Sequence, residues 1–191
     1  MRVNVSLQGV GRAKRQLERM GRRVDPVLRG ALNTTATKTR TERYVKPLKS
    51  TLKGKLVRKA MVIKRARRGR MNSRIIPSGA GIPVTEYSNW GFDPIDKTRA
   101  RIWIRGVNGK KIAAGFVNPS GKKKMPLQTL SRKTARGKTY AYARKLQVAN
   151  GFSAAYWFKQ LSGGATVSWT SDFLQREFER RMKAEIEKAL R

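Results

Sequence analysis

The start of the chain has a hydrophobic pattern that predicts one short strand followed by a helix. Val3, Val5 and Leu7 alternate with polar neighbours, as the residues of a half-buried strand do, and glycines then interrupt the pattern. Apolar residues next recur at steps of three and four positions, which places them on one face of a helix. These residues are Val10, Ala13, Leu17, Met20 and Val24.

A second helix is predicted to begin at Asp25. An aspartate can cap the free N–H groups of a helix start, and Pro26 is tolerated in a first turn. We expect this helix to continue through the threonine-rich stretch 33–41 toward Tyr44 and to end or bend at Pro47, because proline lacks the N–H of an interior helical bond. Its inward residues are Val27, Leu28, Ala31 and Leu32.

The middle of the chain predicts a short helix and a pair of strands. We expect the helix over Leu52–Met61 and the strands over Met61–Lys64 and Ser73–Ile76. The residues between the two strands, Arg65–Arg70, form a basic turn.

The clearest local pattern is a hairpin. In Arg101–Arg105, Ile102 and Ile104 alternate with Arg101, Trp103 and Arg105. Asn108-Gly109 favours a tight turn, and Lys111–Val117 is the expected return strand.

The region before the C-terminal helix predicts two strands and a short helix. The first strand is indicated by apolar and aromatic residues that follow a basic stretch, Ser131–Lys138; they are Tyr140, Tyr142, Leu146 and Val148. The short helix is expected over Ser153–Leu161, ended by Gly163 and Gly164, and the second strand over Val167–Trp169.

The longest helix is predicted to begin at Ser171 or Asp172. Its apolar stripe, which we expect to build the body of the protein and its subunit contacts, recurs at four-residue steps. We call these residues the assembly stripe: Leu174, Phe178, Met182, Ile186 and Leu190. The whole chain is thus expected to be a single α+β domain over 1–191, with N-terminal helices, a central antiparallel sheet carrying the basic loop and the hairpin, and a long C-terminal amphipathic helix.

The amino-acid composition bears on function more than on fold. The 191 residues contain 45 Lys and Arg but 11 Asp and Glu, with no His and no Cys, so the formal net charge is +34. Such a chain repels itself and is attracted to polyanions such as DNA, RNA or acidic protein surfaces. The absence of His and Cys removes the usual zinc ligands, thiol nucleophiles and imidazole acid–base groups. Catalysis is therefore not expected, and neither is a cofactor or a metal.

The cationic residues are concentrated in acid-free tracts. No acid occurs from Arg43 to Thr85 or from Lys97 to Ser171, and basic loops or arms are expected near 62–85 and 118–139. A Lys or Arg placed against a phosphate releases a condensed counterion, which makes the contact favourable and salt-dependent. The residues predicted to contact a polyanion or an acidic partner are Lys53, Lys55, Arg58, Lys59, Lys64, Arg65, Arg67, Arg68, Arg70, Lys122, Lys123 and Lys124.

Three other features have ordinary structural interpretations. Asp93 and Asp96 could hold Mg²⁺ for a nuclease, but Asp-Pro is common turn chemistry and no third acid lies nearby in the sequence. The stretch 79–83 contains two glycines but lacks the Gly-Lys-Ser/Thr of a phosphate loop, so it is expected to be a turn. The aromatic residues between the basic tracts are expected to lie mostly in the core rather than to stack on bases.

Several segments, in their order along the chain, resemble the phage minor tail protein Z family. They are Ala31–Ala36 in the second helix, Lys55–Ala60, Ile63–Ala66, the strand with Arg74–Ile76, the turn into Gly81–Val84 and the C-terminal amphipathic helix. The region from Gly121 to Gly164 departs from the family pattern.

The resemblance implies a structural role in completing a virion tail at its head-proximal end. It implies a homo-oligomeric ring, a hexamer by analogy with tail symmetry, whose partners are the tail terminator, the tail tube and the connector, with a possible contact to the end of the genomic DNA. No catalytic residue is implied. Such a protein is made in the host cytoplasm, and no run of about 18 apolar residues predicts a membrane span. The alternative is a stand-alone, sequence-nonspecific nucleic-acid-binding protein, such as a ribosome-associated or packaging factor.

Overall fold

A computed structural model describes residues 7–19, 21, 23–133 and 140–190, with the backbone alone described for 130–133 and 140–144. The predicted strand over Val3–Leu7 lies outside the described residues except at Leu7, and so do Arg136 and Lys138 of the basic stretch.

The fold is α+β, as predicted. The α-helices of the described residues are α1 Val10–Arg19, α2 Val24–Thr39, α3 Gly54–Ala60, α4 Ala154–Leu161 and α5 Gly164–Ala189. A π-helical segment, Arg40–Val45, continues α2, and a 3₁₀ turn covers Val84–Glu86. The strands are β1 Met61–Lys64, β2 Arg74–Pro77, β3 Gly81–Pro83, β4 Trp90–Pro94, β5 Ala100–Gly106, β6 Gly109–Ile112, β7 Leu127–Lys133, β8 Tyr140–Val148 and β9 Asn150–Ser153.

All the strand pairs described are antiparallel, but they form several small sheets instead of one central sheet. The strand orders are β1-β2, β3-β9, β4-β5-β6 and β7-β8. Single bridges, Ala100 to Val117 and Phe116 to Leu127, extend the pairing between these sheets.

The described residues group into two compact units through which the chain passes alternately. Unit 1 takes the described residues of Met1–Lys46, Arg58–Ser78 and Ala155–Arg191, and unit 2 takes those of Pro47–Val57 and Gly79–Ala154. That the two together form the single domain expected from the sequence stays a prediction.

Unit 1 is built on a helical core. The apolar faces of α1, α2 and α5 meet there, because each helix has its apolar residues at helical spacing. The buried residues of this core are Ala13, Leu17, Val24, Val27, Ala31, Leu174, Phe178 and Met182. Toward the end of α2 and the start of α5 the contact becomes polar, where the Thr39 hydroxyl donates to the Thr170 hydroxyl at 3.3 Å.

Unit 2 is built on the three-stranded meander β4-β5-β6. Ala100, Ile102 and Ile104 of β5 are at most 1% exposed, while Arg101 and Arg105 on the opposite face are exposed and Trp103 is partly buried. The strand alternation predicted for Arg101–Arg105 is therefore confirmed.

The hairpin turn is displaced by one residue from its predicted position. Gly106 pairs with Gly109, so Val107 and Asn108 form the turn and Gly109, at φ +88°, opens β6. A type I′ turn over Asn108-Gly109 would require positive φ at Asn108, and no non-glycine residue of the described chain has one. The return strand is also shorter than Lys111–Val117: β6 ends at Ile112, and Gly115 at φ +104° breaks the extended backbone.

The predicted strand over Val167–Trp169 is wrong, and so is the predicted start of the last helix. Both stretches belong to α5, which begins at Gly164. The β-branched residues suggested a strand, but the hydroxyls of Thr166 and Thr170 accommodate the helix by donating to the carbonyls of Leu161 and Thr166, at 2.6 and 2.7 Å.

The remaining differences are smaller. α1 ends at Arg19, so Val24 begins α2 instead of closing the stripe of the first helix. α3 is shorter than Leu52–Met61. The stretch 79–83, predicted to be a turn, contains β3, which pairs with β9. The strand predicted around Tyr140–Val148 is confirmed as β8.

Candidate polyanion interface

The basic turn between β1 and β2 has a defined backbone. Arg67 and Arg70 exchange backbone hydrogen bonds of 2.9 and 3.0 Å, and Gly69 has φ +75°. A positive φ at the third residue of a four-residue turn is the geometry in which glycine is favoured. The turn presents four exposed arginines: Arg65, Arg67, Arg68 and Arg70.

Two side chains of the same helix hold the strand that leads into this turn. Asn33 of α2 donates from Nδ2 to the Ala66 carbonyl at 3.1 Å and accepts from the Ala66 N–H at 2.7 Å. Seven residues later, Arg40 donates from Nη1 to the Met61 carbonyl at 3.2 Å. Seven residues are about two helical turns, so both side chains lie on one face of the continuous helix. β1 is therefore fastened at both ends.

Arg40 also forms the centre of a cluster of arginines in unit 1. Burial lowers the pKa of Arg40, and the positive charges of Arg58 and Arg65 lower it further. The Nε atom of Arg40 is buried and has no hydrogen-bond partner among the described residues. A guanidinium in this state is suited to an anion, because an anion would satisfy the N–H and offset the mutual repulsion.

The other predicted contact residues are exposed at two further places. Lys53 lies just before α3 and Lys55 lies in its first turn, and both belong to unit 2. Arg58 and Lys59 at the end of α3 belong to unit 1, as does Lys64. A lysine loop, Lys122–Lys124, lies in unit 2. Asn118 organises the approach to this loop, since its side chain accepts from the Ser120 N–H at 3.0 Å and its carbonyl from the Gly121 N–H at 3.2 Å.

No acidic residue forms a salt bridge with the predicted contact residues, all of which the structure describes. All 11 acids lie in the described part, and the described cations that pair with some of them within 4 Å are other ones. Those cations are Lys14, Lys46, Arg99, Lys110, Arg180 and Arg181. Within the described residues, the basic turn, α3 and the lysine loop therefore carry charge that no acid of the chain balances.

The two acids weighed as a metal site are engaged by donors. Asp93 accepts from Lys110 Nζ at 2.6 Å and from Trp103 Nε1 at 3.0 Å, and these bonds, the lysine's first, lower the pKa of its carboxyl. Asp96 accepts from Arg99 and Thr98, which lower its pKa strongly. Among the described residues no group of three or more acidic residues could hold a metal ion. These carboxylates stabilise a strand pair and a turn.

Most of the assembly stripe is covered by the chain itself. Leu174, Phe178 and Met182 are buried in the core of unit 1, and Ile186 is partly buried against it. Leu190 is 76% exposed. The first three residues therefore belong to the core of unit 1, and a subunit contact through this stripe stays a prediction.

Sequence reasoning missed the two residues that hold the basic turn, Asn33 and Arg40. One signal was present: asparagine is a weak helix former, and Asn33 lies in the interior of a predicted helix. An inward polar residue at such a place indicates a backbone group to be satisfied. Nothing local marked Arg40 among the other cations.

No helix within the described residues combines the length and apolar character that crossing a bilayer requires. Comparison of the chain with protein-family models, with curated proteins and with solved structures found no match.

Proposed function

We propose that this protein is a structural component of a bacteriophage tail, a tail completion or head–tail joining protein that forms part of a ring at the head-proximal end of the tail tube. In this role the basic turn and the lysine loop contact the genomic DNA or acidic partner proteins. The ring is homo-oligomeric, with six copies by analogy with tail symmetry.

One observation carries the proposal: the basic turn is held in place yet electrically unbalanced. Asn33 holds Ala66 at its base, Arg40 holds the start of the strand that leads into it, and the backbone bonds between Arg67 and Arg70 close its tip. Four arginines within six residues repel one another, and ions from solvent screen them only partly at such short range. A fixed surface of this kind gains most from a polyanionic neighbour that stays in place, as in an assembled particle.

The α+β architecture with a long C-terminal helix supports the same role. The sequence resemblance to tail completion proteins implies helices, a basic loop, antiparallel strands and a C-terminal helix in that order. The described elements follow this order.

Charge reversal in the basic turn tests the proposal. We expect the combined substitution Arg65→Glu, Arg67→Glu, Arg68→Glu and Arg70→Glu to abolish tail joining while the protein still folds, because all four side chains are exposed. The measurement is infectivity and the fraction of heads with joined tails in electron micrographs. A matched control reverses four exposed cations on the helices of unit 1: Arg12, Arg15, Arg19 and Lys183. Normal infectivity of the turn variant would refute the assignment.

The unpaired Nε of Arg40, close to the charges of two other arginines, favours one second candidate, a stand-alone nucleic-acid-binding protein. Such a cluster suits a phosphodiester whether or not a particle is built around it. A salt titration of the free protein distinguishes the two functions. Tight binding to duplex DNA or RNA at physiological salt favours the binder, whereas weak binding combined with entry into tail particles favours the structural role.

A further inference from the structure

Unit 1 contains a groove of about 900 Å³ among its described elements. Residues of α2 and α5 line it along one side, β2 and the residues before it line another, and α4 contributes Phe158. The lining combines apolar residues, such as Leu32 and Leu174, with threonine hydroxyls. A mixed lining of this kind suits an extended polypeptide, which has both apolar side chains and backbone polar groups to place.

The strand β2 offers backbone groups at one edge of the groove. Within the described residues β2 pairs only with β1. The Ser78 N–H donates to the Ala60 carbonyl at 2.7 Å, which sets the phase of the ladder: Ile76 and Arg74 exchange bonds with β1, and Ile75 directs its N–H and C=O away from β1. Ile75 lines the groove, so it presents a donor and an acceptor to an added strand.

The two faces of β2 determine which side chains suit such a strand. Ile75 and Pro77 are partly buried on one face, whereas Arg74 and Ile76 are exposed on the other. Paired residues of neighbouring strands place their side chains on the same face of a sheet. A residue paired with Ile75 is therefore best apolar, and its neighbours in the added strand, which lie on the face of Arg74, are best acidic.

The charged residues that line the groove are cations. Arg74 and Lys159 line it and are exposed, and none of the described lining residues is acidic. Close by, Arg43 donates from Nε to the hydroxyl of Thr166, another lining residue, at 3.3 Å. An acidic segment therefore meets opposite charge, whereas a second copy of this chain, with a formal net charge of +34, brings like charge.

A polar side chain of the groove also lacks a partner. Thr35 of α2 lines the groove and is 4% exposed, and its Oγ1 is buried with no hydrogen bond to any described residue. A buried hydroxyl without a partner is destabilising. Threonine in a helix has two accessible rotamers, so this hydroxyl can turn to meet a backbone group of a bound strand.

We propose that the groove binds an extended, acidic segment of a partner protein, which pairs with β2 as an added strand. A strand of about four residues reaches about 13 Å, and the groove side from Thr166 to Leu174 of α5 spans about 12 Å. The length of β2 therefore matches that of the groove. The inference goes beyond the proposed function and does not depend on whether the partner belongs to a tail.

Labelled synthetic peptides test the proposal on the full chain. The first peptide alternates valine with glutamate over about eight residues. The second is identical but N-methylated at its valines, which keeps the charge and removes the N–H groups that would face β2. The third has lysine in place of glutamate. We expect the first to bind at least about tenfold more tightly than the others in fluorescence anisotropy and to slow exchange of the Ile75 amide at least about tenfold.

Two pairs of measurements place the binding on β2 and Thr35. Ile75→Pro removes the outward N–H without removing a ladder bond to β1, and it should weaken binding of the first peptide at least about tenfold, whereas Ile75→Val should change it less than about twofold. Thr35→Val keeps the shape of the side chain and should weaken binding about fivefold. Exchange of the Leu17 amide in the core reports whether each variant has kept its fold.

Other results would overturn the proposal. Equal affinity for the N-methylated or the lysine peptide would mean that charge or apolar contact alone accounts for binding, and unchanged affinity in Ile75→Pro and Thr35→Val would place it elsewhere. Slow exchange of the Ile75 amide without peptide, at every protein concentration, would show that the chain itself covers this edge. Protection that falls on dilution, together with a dimer in native mass spectrometry, would show that a second copy covers it.

Discussion

Glu177 is the residue whose ionisation contributes most clearly to the stability of unit 1. It accepts from Arg180 through two bonds of 2.9 Å and from Arg181 Nε at 2.7 Å, and its side chain is 9% exposed. The Arg180 bonds, together with Arg181, lower the pKa of the carboxyl. Arg181 also donates to the Thr34 hydroxyl at 3.0 Å, so the pair connects α5 to α2.

A pH-dependent loss of stability follows for Glu177→Gln. The pKa of Glu177 is lower in the folded protein than in the unfolded chain, where it is about 4.3. The stabilisation by the ionised carboxylate is therefore fully present above the unfolded pKa and is lost as the pH falls through the folded pKa. We expect the free energy of unfolding at pH 7 to fall by about 1–2 kcal/mol, and the difference from wild type to disappear in strong acid. Urea denaturation at several pH values measures it. Glu179→Gln, an exposed neighbour, should change little.

Gly115 in unit 2 has no room for a side chain. Gly115 and Gly109 both have positive φ, but a Cβ at Gly115 would lie 2.5 Å from the Leu127 carbonyl oxygen, whereas Gly109 has open space around it. Gly109→Ala should destabilise by about 1 kcal/mol through backbone strain alone. Gly115→Ala should cost about 2–4 kcal/mol, because the steric overlap adds to the strain. Equal urea midpoints for the two variants would contradict the overlap.

At the scale of elements, the contact between α2 and β1 determines how firmly the basic turn is held. Asn33→Ala removes both bonds to Ala66, so we expect a loss of about 1–2 kcal/mol in stability and faster exchange of the Ala66 amide. Affinity for DNA should fall as well, since a looser turn loses more entropy on binding. Lys38→Ala, at an exposed position of the same helix, is the control. An unchanged Ala66 amide would show that the side-chain bonds do not hold the turn.

Elements whose signals are local were predictable from the sequence. β5 repeats its inward residues at every second position, and the apolar stripe of α5 follows the helical period over several turns. β3 and β9 were missed because they are short and pair across most of unit 2, as Gly81 with Ser153. The start of α5 was missed because its threonines favour strands locally, and only hydrogen bonds within the fold accommodate them in a helix.

The candidate site was predictable to a similar degree. Absence of acids marked the basic turn and the lysine loop, since charge imbalance is visible in a linear sequence. The hydrogen bonds that hold the basic turn could not be predicted from the sequence, because Asn33 and Ala66 are 33 positions apart. The unpaired Nε of Arg40 likewise depends on burial by residues remote in sequence. Composition thus indicated where cations lack matching acids, and the fold indicates which of these cations lie on a turn that is held in place.

At the scale of the whole molecule, the question is whether net charge or its arrangement governs binding to polyanions. The formal charge of +34 would attract DNA even if the cations were spread evenly. Clustered cations that contact phosphates differ in one measurable respect: each contact contributes about 0.9 to the slope of log affinity against log salt.

Two variants with the same net charge separate these possibilities. Replacing Arg65, Arg67, Arg68 and Arg70 by Ala removes four charges from the basic turn, whereas replacing Arg12, Arg15, Arg19 and Lys183 removes four from helix surfaces of unit 1. If the turn contacts phosphates, the first variant should lower the slope by up to about 3–4, and the second should leave it nearly unchanged. Fluorescence anisotropy with a short duplex across a range of salt concentrations provides the slopes. Equal reductions in both variants would mean that net charge alone attracts the polyanion and that the fixed turn has no special part in binding it.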